Sequence, residues 1–88
     1  MDARDAYDTI LRTLRADPQR RIVDSAYDEA NFGSFHVSYE DRGEPRCILN
    51  DRGELVLCHD LKGSRGCATA LASLHGVDEQ TMLAALSL

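Results

Sequence analysis

Cys58, His59, Cys67 and His75 place four possible metal ligands within one short stretch of the chain. Structural zinc sites are normally built from closely spaced cysteine pairs, because two thiolates on one tight turn share one ion. Cys47, Cys58 and Cys67 form no such pair. Cys67 also falls in register with Leu71 and Leu74 on what reads as the apolar stripe of a helix, where burial accounts for a thiol. The spacing therefore predicts neither a metal nor a cofactor. Nucleophilic catalysis would need Cys47 or Cys58 activated by His36 or His59. No glycine elbow, oxyanion loop or paired-carboxylate motif accompanies them, and the expectation is a protein without enzymatic activity.

Two further patterns fail on their chemistry. Gly63-Ser64-Arg65-Gly66 is too short and too weakly patterned for a phosphate-binding loop. Leu71, Ala72, Gly76, Val77 and Met82 have the spacing of a helix-turn-helix, but no Lys or Arg occurs from Gly66 to Leu88. The would-be recognition helix opens on Asp78-Glu79, whose charges repel phosphates, so nucleic acid is not the expected partner.

The formal net charge of -5 points the same way, and suits a basic protein as partner. Asp24, Asp28 and Glu29 gather part of that charge, although a solvated helix face is the favoured explanation of any single such cluster. No apolar run is long enough to span a bilayer or to act as a secretory leader, and the three cysteines are too few and unpaired to frame a disulfide scaffold. The expected setting is the cytoplasm, without membrane attachment. A chain of 88 residues, 43% hydrophobic and 28% charged, holds one core, so residues 1–88 read as a single domain.

The elements that position these residues follow from periodicity. Ala3, Tyr7, Ile10, Leu11 and Leu14 recur at helical spacing behind an Asp2 cap, with Asp8 four residues before Arg12, which predicts a helix over residues 3–15. Asp17-Pro18 has the form of an N-cap and first helical residue, and Ile22, Val23, Ala26, Tyr27 and Ala30 share a helical face. This predicts a second, shorter helix from Pro18 to Ala30, with a bent strand around Ile22 as the alternative. From Phe32-Gly33 onward the period becomes two, with Phe35, Val37 and Tyr39 alternating with Ser34, His36, Ser38 and Glu40.

An internal repeat follows: Glu40-Asp41-Arg42-Gly43-Glu44 recurs as Asn50-Asp51-Arg52-Gly53-Glu54. Read as three-residue hairpin loops, the two copies set a three-stranded meander. Glu40 then pairs with Glu44 and Asn50 with Glu54. That register aligns Phe35, Leu49 and Leu55 in one row and Val37, Cys47 and Leu57 in the next, all on one apolar face. The opposite face carries His36, Ile48 and Val56, then Ser38, Arg46 and Cys58. It is too apolar for a freely solvated surface, and either a helix or a partner covers it.

Beyond the third strand, Cys67, Leu71 and Leu74 predict a third helix ending near His75-Gly76. Asp78 caps a fourth, in which Val77 packs on Met82, and Met82, Leu83 and Leu86 form the buried side. The expected fold is α+β, in the order α-α-β-β-β-α-α, with a C-terminal helical hairpin packed on the antiparallel meander.

Phe32-Gly33, Val37, Gly43, Arg46 and the Asp51-Arg52-Gly53 turn, after an N-terminal helix, resemble small bacterial α/β immunity-type proteins of polymorphic and contact-dependent toxin systems. The resemblance covers about residues 3–60. Ser34 stands where that pattern has a small amide residue, and the alanine-rich C-terminal part lies outside it. The resemblance implies an inhibitor that occupies a cognate toxin domain, and it carries no catalytic or ligand residues. The surface expected to bind is His36, Ser38, Arg46, Ile48, Val56 and Cys58, with Asp24, Asp28 and Glu29 at its acidic margin. A self-associating adaptor centred on Ile48, Val56 and Cys58, or a phage-encoded inhibitor of a host defence complex, are the other expectations.

Overall fold

The computed structural model describes residues 2–31, 33–51, 53–59, 68–73 and 79–86. Helix α1 spans Ala3–Arg15, as its periodicity predicts. Asp2 caps it from an extended backbone, accepting the Asp5 amide at 2.8 Å. Ala6, Ile10 and Leu14, four residues apart, are fully buried, and Ala3, Tyr7 and Leu11 flank them half-buried. Burial of Ile10 and Leu14 stabilises the fold by roughly 1.5–3 kcal/mol each. Asp8 pairs with Arg4 at 3.4 Å on the solvent side.

The second element is a strand, not a helix. β1 runs from Arg20 to Asp28. Asp17-Pro18 forms a turn: the Arg20 amide donates to the Asp17 carbonyl at 3.1 Å, and the Gln19 amide to the Asp17 side chain at 2.9 Å. The residues that favour a helix start also favour the first two positions of a type I turn, and here the turn wins. β1 pairs antiparallel with β2, Ser34–Asp41, and its register shifts between Ile22 and Asp24. The bulge turns Val23 outward, 46% exposed, which lets Ile22 and Tyr27 both reach the core despite their odd spacing. The bent-strand alternative is therefore the correct one.

β3 (Glu44–Asp51) and β4 (Glu54–Cys58) continue the meander, but the register differs by one residue from the three-residue-loop expectation. Asp41 pairs with Glu44 and Asp51 with Glu54, so each loop has two residues. Arg42 and Gly43 both have positive φ, at 53° and 84°, as a type I′ hairpin turn requires, and Gly53 sits at 86°. Phe35 consequently lies opposite Asn50 and Leu55, and Val37 opposite Ile48 and Leu57.

The cause is Asn50. It is only 3% exposed, its side-chain amide donates to the Gly33 carbonyl at 2.9 Å, and its carbonyl oxygen accepts the Gly53 amide at 2.9 Å. A buried amide with both ends partnered costs little, whereas the same group unpartnered would cost a few kcal/mol. The hydrophobic pattern alone assigns this position to solvent.

The expected third helix is also a strand. β5, Ala68–Ser73, adds to β4, giving a five-stranded antiparallel sheet in the order β1-β2-β3-β4-β5. A helix this short is only marginally stable by itself, while the backbone groups along β4 offer a ladder. Leu71 therefore lies in a strand, which dismantles the helix-turn-helix pattern. The C-terminal helical hairpin is replaced by β5 and helix α2, Glu79–Leu86. The expected turn and cap at His75 to Asp78 lie outside the described residues. Met82 and Leu86 are buried as expected, with Leu83 half-buried beside them.

Both described helices pack on one face of the sheet, sharing a core with Phe35, Val37, Tyr39, Ile48, Leu55 and Leu57. The result is a two-layer α+β fold. At one end Tyr7 and Tyr27 lie 5.4 Å apart, Tyr7 and Phe35 likewise, and the Arg4 guanidinium stands 5.0 Å from the Tyr27 ring centre. Gly33 makes this junction possible: with φ 71° and its would-be Cβ 2.7 Å from the Ala3 Cβ, a side chain there meets α1 directly.

Gly33→Ala combines a left-handed backbone with a steric clash, and is expected to destabilise the fold by about 1–3 kcal/mol. A urea unfolding curve with an unchanged midpoint contradicts this account of the junction.

Candidate protein-binding face

The alternation set by the two-residue turns decides which side chains leave the core. On the face away from the helices, β2 presents His36 and Ser38, β3 presents Cys47 and Leu49, and β4 presents Val56 and Cys58. Neighbouring β1 contributes Asp24 and Ala26, directly opposite Ser38 and His36. His36, Leu49 and Val56 form a half-buried row across three strands; Ser38, Cys47 and Cys58 form a buried one beside it. Within the second row the Ser38 hydroxyl donates to Cys47 Sγ at 3.5 Å.

Charge borders this apolar band on the β1 side. The His36 ring nitrogen Nε2 meets the Asp24 carboxylate at 3.1 Å, with 70% of the Asp24 side chain exposed. Arg21 reaches Glu40 at 2.6 Å in the next row. Asp28 and Glu29, at the end of β1 and beyond it, are exposed. Exposed pairs of this kind add little stability, so their weight lies in the field they present to an approaching surface. Ala26, Tyr27, Asp28, Asn31, Ser34, Phe35 and His36 line a shallow hollow of about 260 Å³ at this corner.

The predicted surface is thus corrected on one strand. Ile48 is fully buried between Val37 and Leu57 in the core, and Arg46 also faces the helix side, opposite Tyr39. Leu49 and Cys47 take their places. His36, Ser38, Val56, Cys58 and Asp24 lie on the expected face, with Ser38 and Cys58 buried in it. A self-association interface centred on Ile48 loses its anchor. Cys47, expected inside the core, lies opposite Cys58 on the same outer face.

Arg46 belongs to a polar cluster at the far end of the helix-side face. It donates to His59 Nδ1 at 3.2 Å and to Glu44 at 3.3 Å. Arg20 lies 3.7 Å from Asp41 and donates to the Leu86 carbonyl at 2.8 Å, which ties β1 to the C-terminal end of α2. Between these cations Tyr39 is fully buried, and its hydroxyl meets no hydrogen-bond partner among the described residues. Burial pushes its pKa above the ordinary 10.0, against the opposing pull of Arg20 and Arg46. His59, considered above as a metal ligand, is engaged with Arg46, while Cys67 and His75 lie outside the described residues.

No helix among the described residues is long and apolar enough to cross a membrane. Comparison of the chain with protein-family models, with curated proteins and with solved structures found no match.

With no partner for the Tyr39 hydroxyl among the described residues, Tyr39→Phe is expected to leave stability unchanged or raise it by about 1 kcal/mol. The folded chain holds the Tyr39 proton above the pH at which the unfolded chain releases it, so wild-type stability falls as pH rises past 10.0. Tyr39→Phe should flatten that decline. Denaturant midpoints measured across alkaline pH check both statements; an equally steep decline in the variant contradicts the second.

Proposed function

We propose that this chain is a non-enzymatic protein-binding inhibitor, and that it acts as an immunity protein neutralising a cognate toxin domain in the cytoplasm. One observation carries the reading. Both described helices lie on the same side of the sheet, while Leu49 and Val56 extend a half-buried row from His36 on the other, bordered by Asp24, Asp28 and Glu29.

Apolar centres with charged rims are typical of protein interfaces, where the centre supplies burial and the rim supplies orientation and encounter rate. The formal net charge of -5 favours a basic partner, such as a nuclease toxin whose own substrate is a polyanion. The resemblance over residues 3–60 adds the biological setting. Ala26 helps the fit, since an exposed small residue beside His36 lets a partner approach β1 closely.

The test is co-purification with the product of the adjacent gene, at low and high salt, together with protection of cells that express that product. Leu49→Lys with Val56→Lys should weaken the association at least about tenfold while the circular dichroism spectrum stays native. Charge reversal at Asp24, Asp28 and Glu29 should slow association and flatten its salt dependence. Binding and protection that ignore both sets of substitutions remove the outer face from the account; the absence of any association removes the immunity reading.

A further inference from the structure

Cys47 and Cys58 are directly opposite one another on β3 and β4, with their thiols reduced and buried on the face away from the helices. We propose that they are a redox modification site, closing to an intramolecular cross-strand disulfide when a low-molecular-weight disulfide oxidises the protein. The placement follows from the hairpin. Asp51 and Glu54 close a two-residue loop, a pair that exchanges both backbone hydrogen bonds, and Cys47 and Cys58 fall an even number of steps along the same ladder. Such pairs have Cα atoms about 5.5 Å apart, inside the range of roughly 4.4–6.8 Å that disulfides span.

Facing side chains on one pleat need only rotate toward each other, but the Cβ atoms must close slightly, which strains the bond. Strained disulfides are more easily reduced than structural ones, so the pair suits a reversible switch better than a permanent staple. Both thiols are buried, so a small disulfide reaches them only through local opening of the sheet. Cys58 is the last residue of β4, where local opening costs less than in mid-strand.

The chemistry balances as two exchanges. One cysteine thiolate attacks the small disulfide, forming a mixed disulfide and releasing one small thiolate. The second cysteine, having given up its proton to solvent, attacks the protein sulfur of that mixed disulfide and releases the other. The protein loses two hydrogens, and one small disulfide is reduced to two thiols.

Oxidised glutathione added to the native full chain is the test, read by intact mass and peptide mapping. The expected product has lost two hydrogens, links Cys47 to Cys58, leaves Cys67 open to alkylation, and returns to the dithiol form with dithiothreitol. The chain unfolded in urea should instead give mixed pairings. Cys67→Ser should react as the wild type does, whereas Cys47→Ser should stop at a glutathione adduct. A link through Cys67, glutathione adducts alone, or no reaction in the native wild type overturns the proposal, whatever the variants do.

Discussion

The side chain of Asn50 holds this fold in register. By donating to the Gly33 carbonyl and accepting the Gly53 amide, it joins the approach to β2 to the β3–β4 turn through one buried amide. Both bonds require Asn50 to point into the helix-side layer, and this fixes the orientation of every other residue on β3. Ile48 then enters the core, Arg46 comes to face Tyr39, and Leu49 and Cys47 are turned to the opposite side. A slip of one residue would bury Leu49 and leave the amide without its two backbone partners.

The same junction seats α1. Gly33 carries the backbone into β2 with no side chain between it and Ala3, and the Tyr7, Tyr27 and Phe35 rings fill the adjoining space. The bulge at Val23 is what brings Tyr27 to this cluster, so the irregularity in β1 serves packing. At the far end Arg20 anchors the last turn of α2 through the Leu86 carbonyl. With both described helices held on one side, the composition of the other side becomes a functional matter.

Much of this was legible in the residues, and the failures have physical causes. Helix α1 carried three agreeing signals: the Asp2 cap, the apolar stripe and charges spaced for the helix surface. The alternation in β2 and the repeated Asp-Arg-Gly marked the meander. Its register was misread because that tripeptide suits two-residue and three-residue loops alike, and the larger apolar row favoured the wrong one. Only the partners of Asn50, remote in sequence at Gly33, decide between them. Asp17-Pro18 begins either a helix or a turn, and the alanines of Ala68–Ser73 favour helix until a neighbouring strand supplies the ladder. On the candidate surface, His36 and Val56 were found because β2 and β4 keep their orientation, whereas Arg46 and Ile48 were misplaced because β3 alone is turned over.

The half-buried row that the proposed inhibitor would present therefore depends on how β3 is hung between its neighbours. Interstrand α-proton contacts in a nuclear Overhauser spectrum of the native chain report that alignment directly, because such protons approach closely only at the non-hydrogen-bonded pairs of an antiparallel ladder. The account predicts strong contacts between Ile48 and Leu57 and between Asn50 and Leu55, which pair in the structure. Contacts from Cys47 to Leu57 and from Leu49 to Leu55 would contradict it, and would return Leu49 to the core.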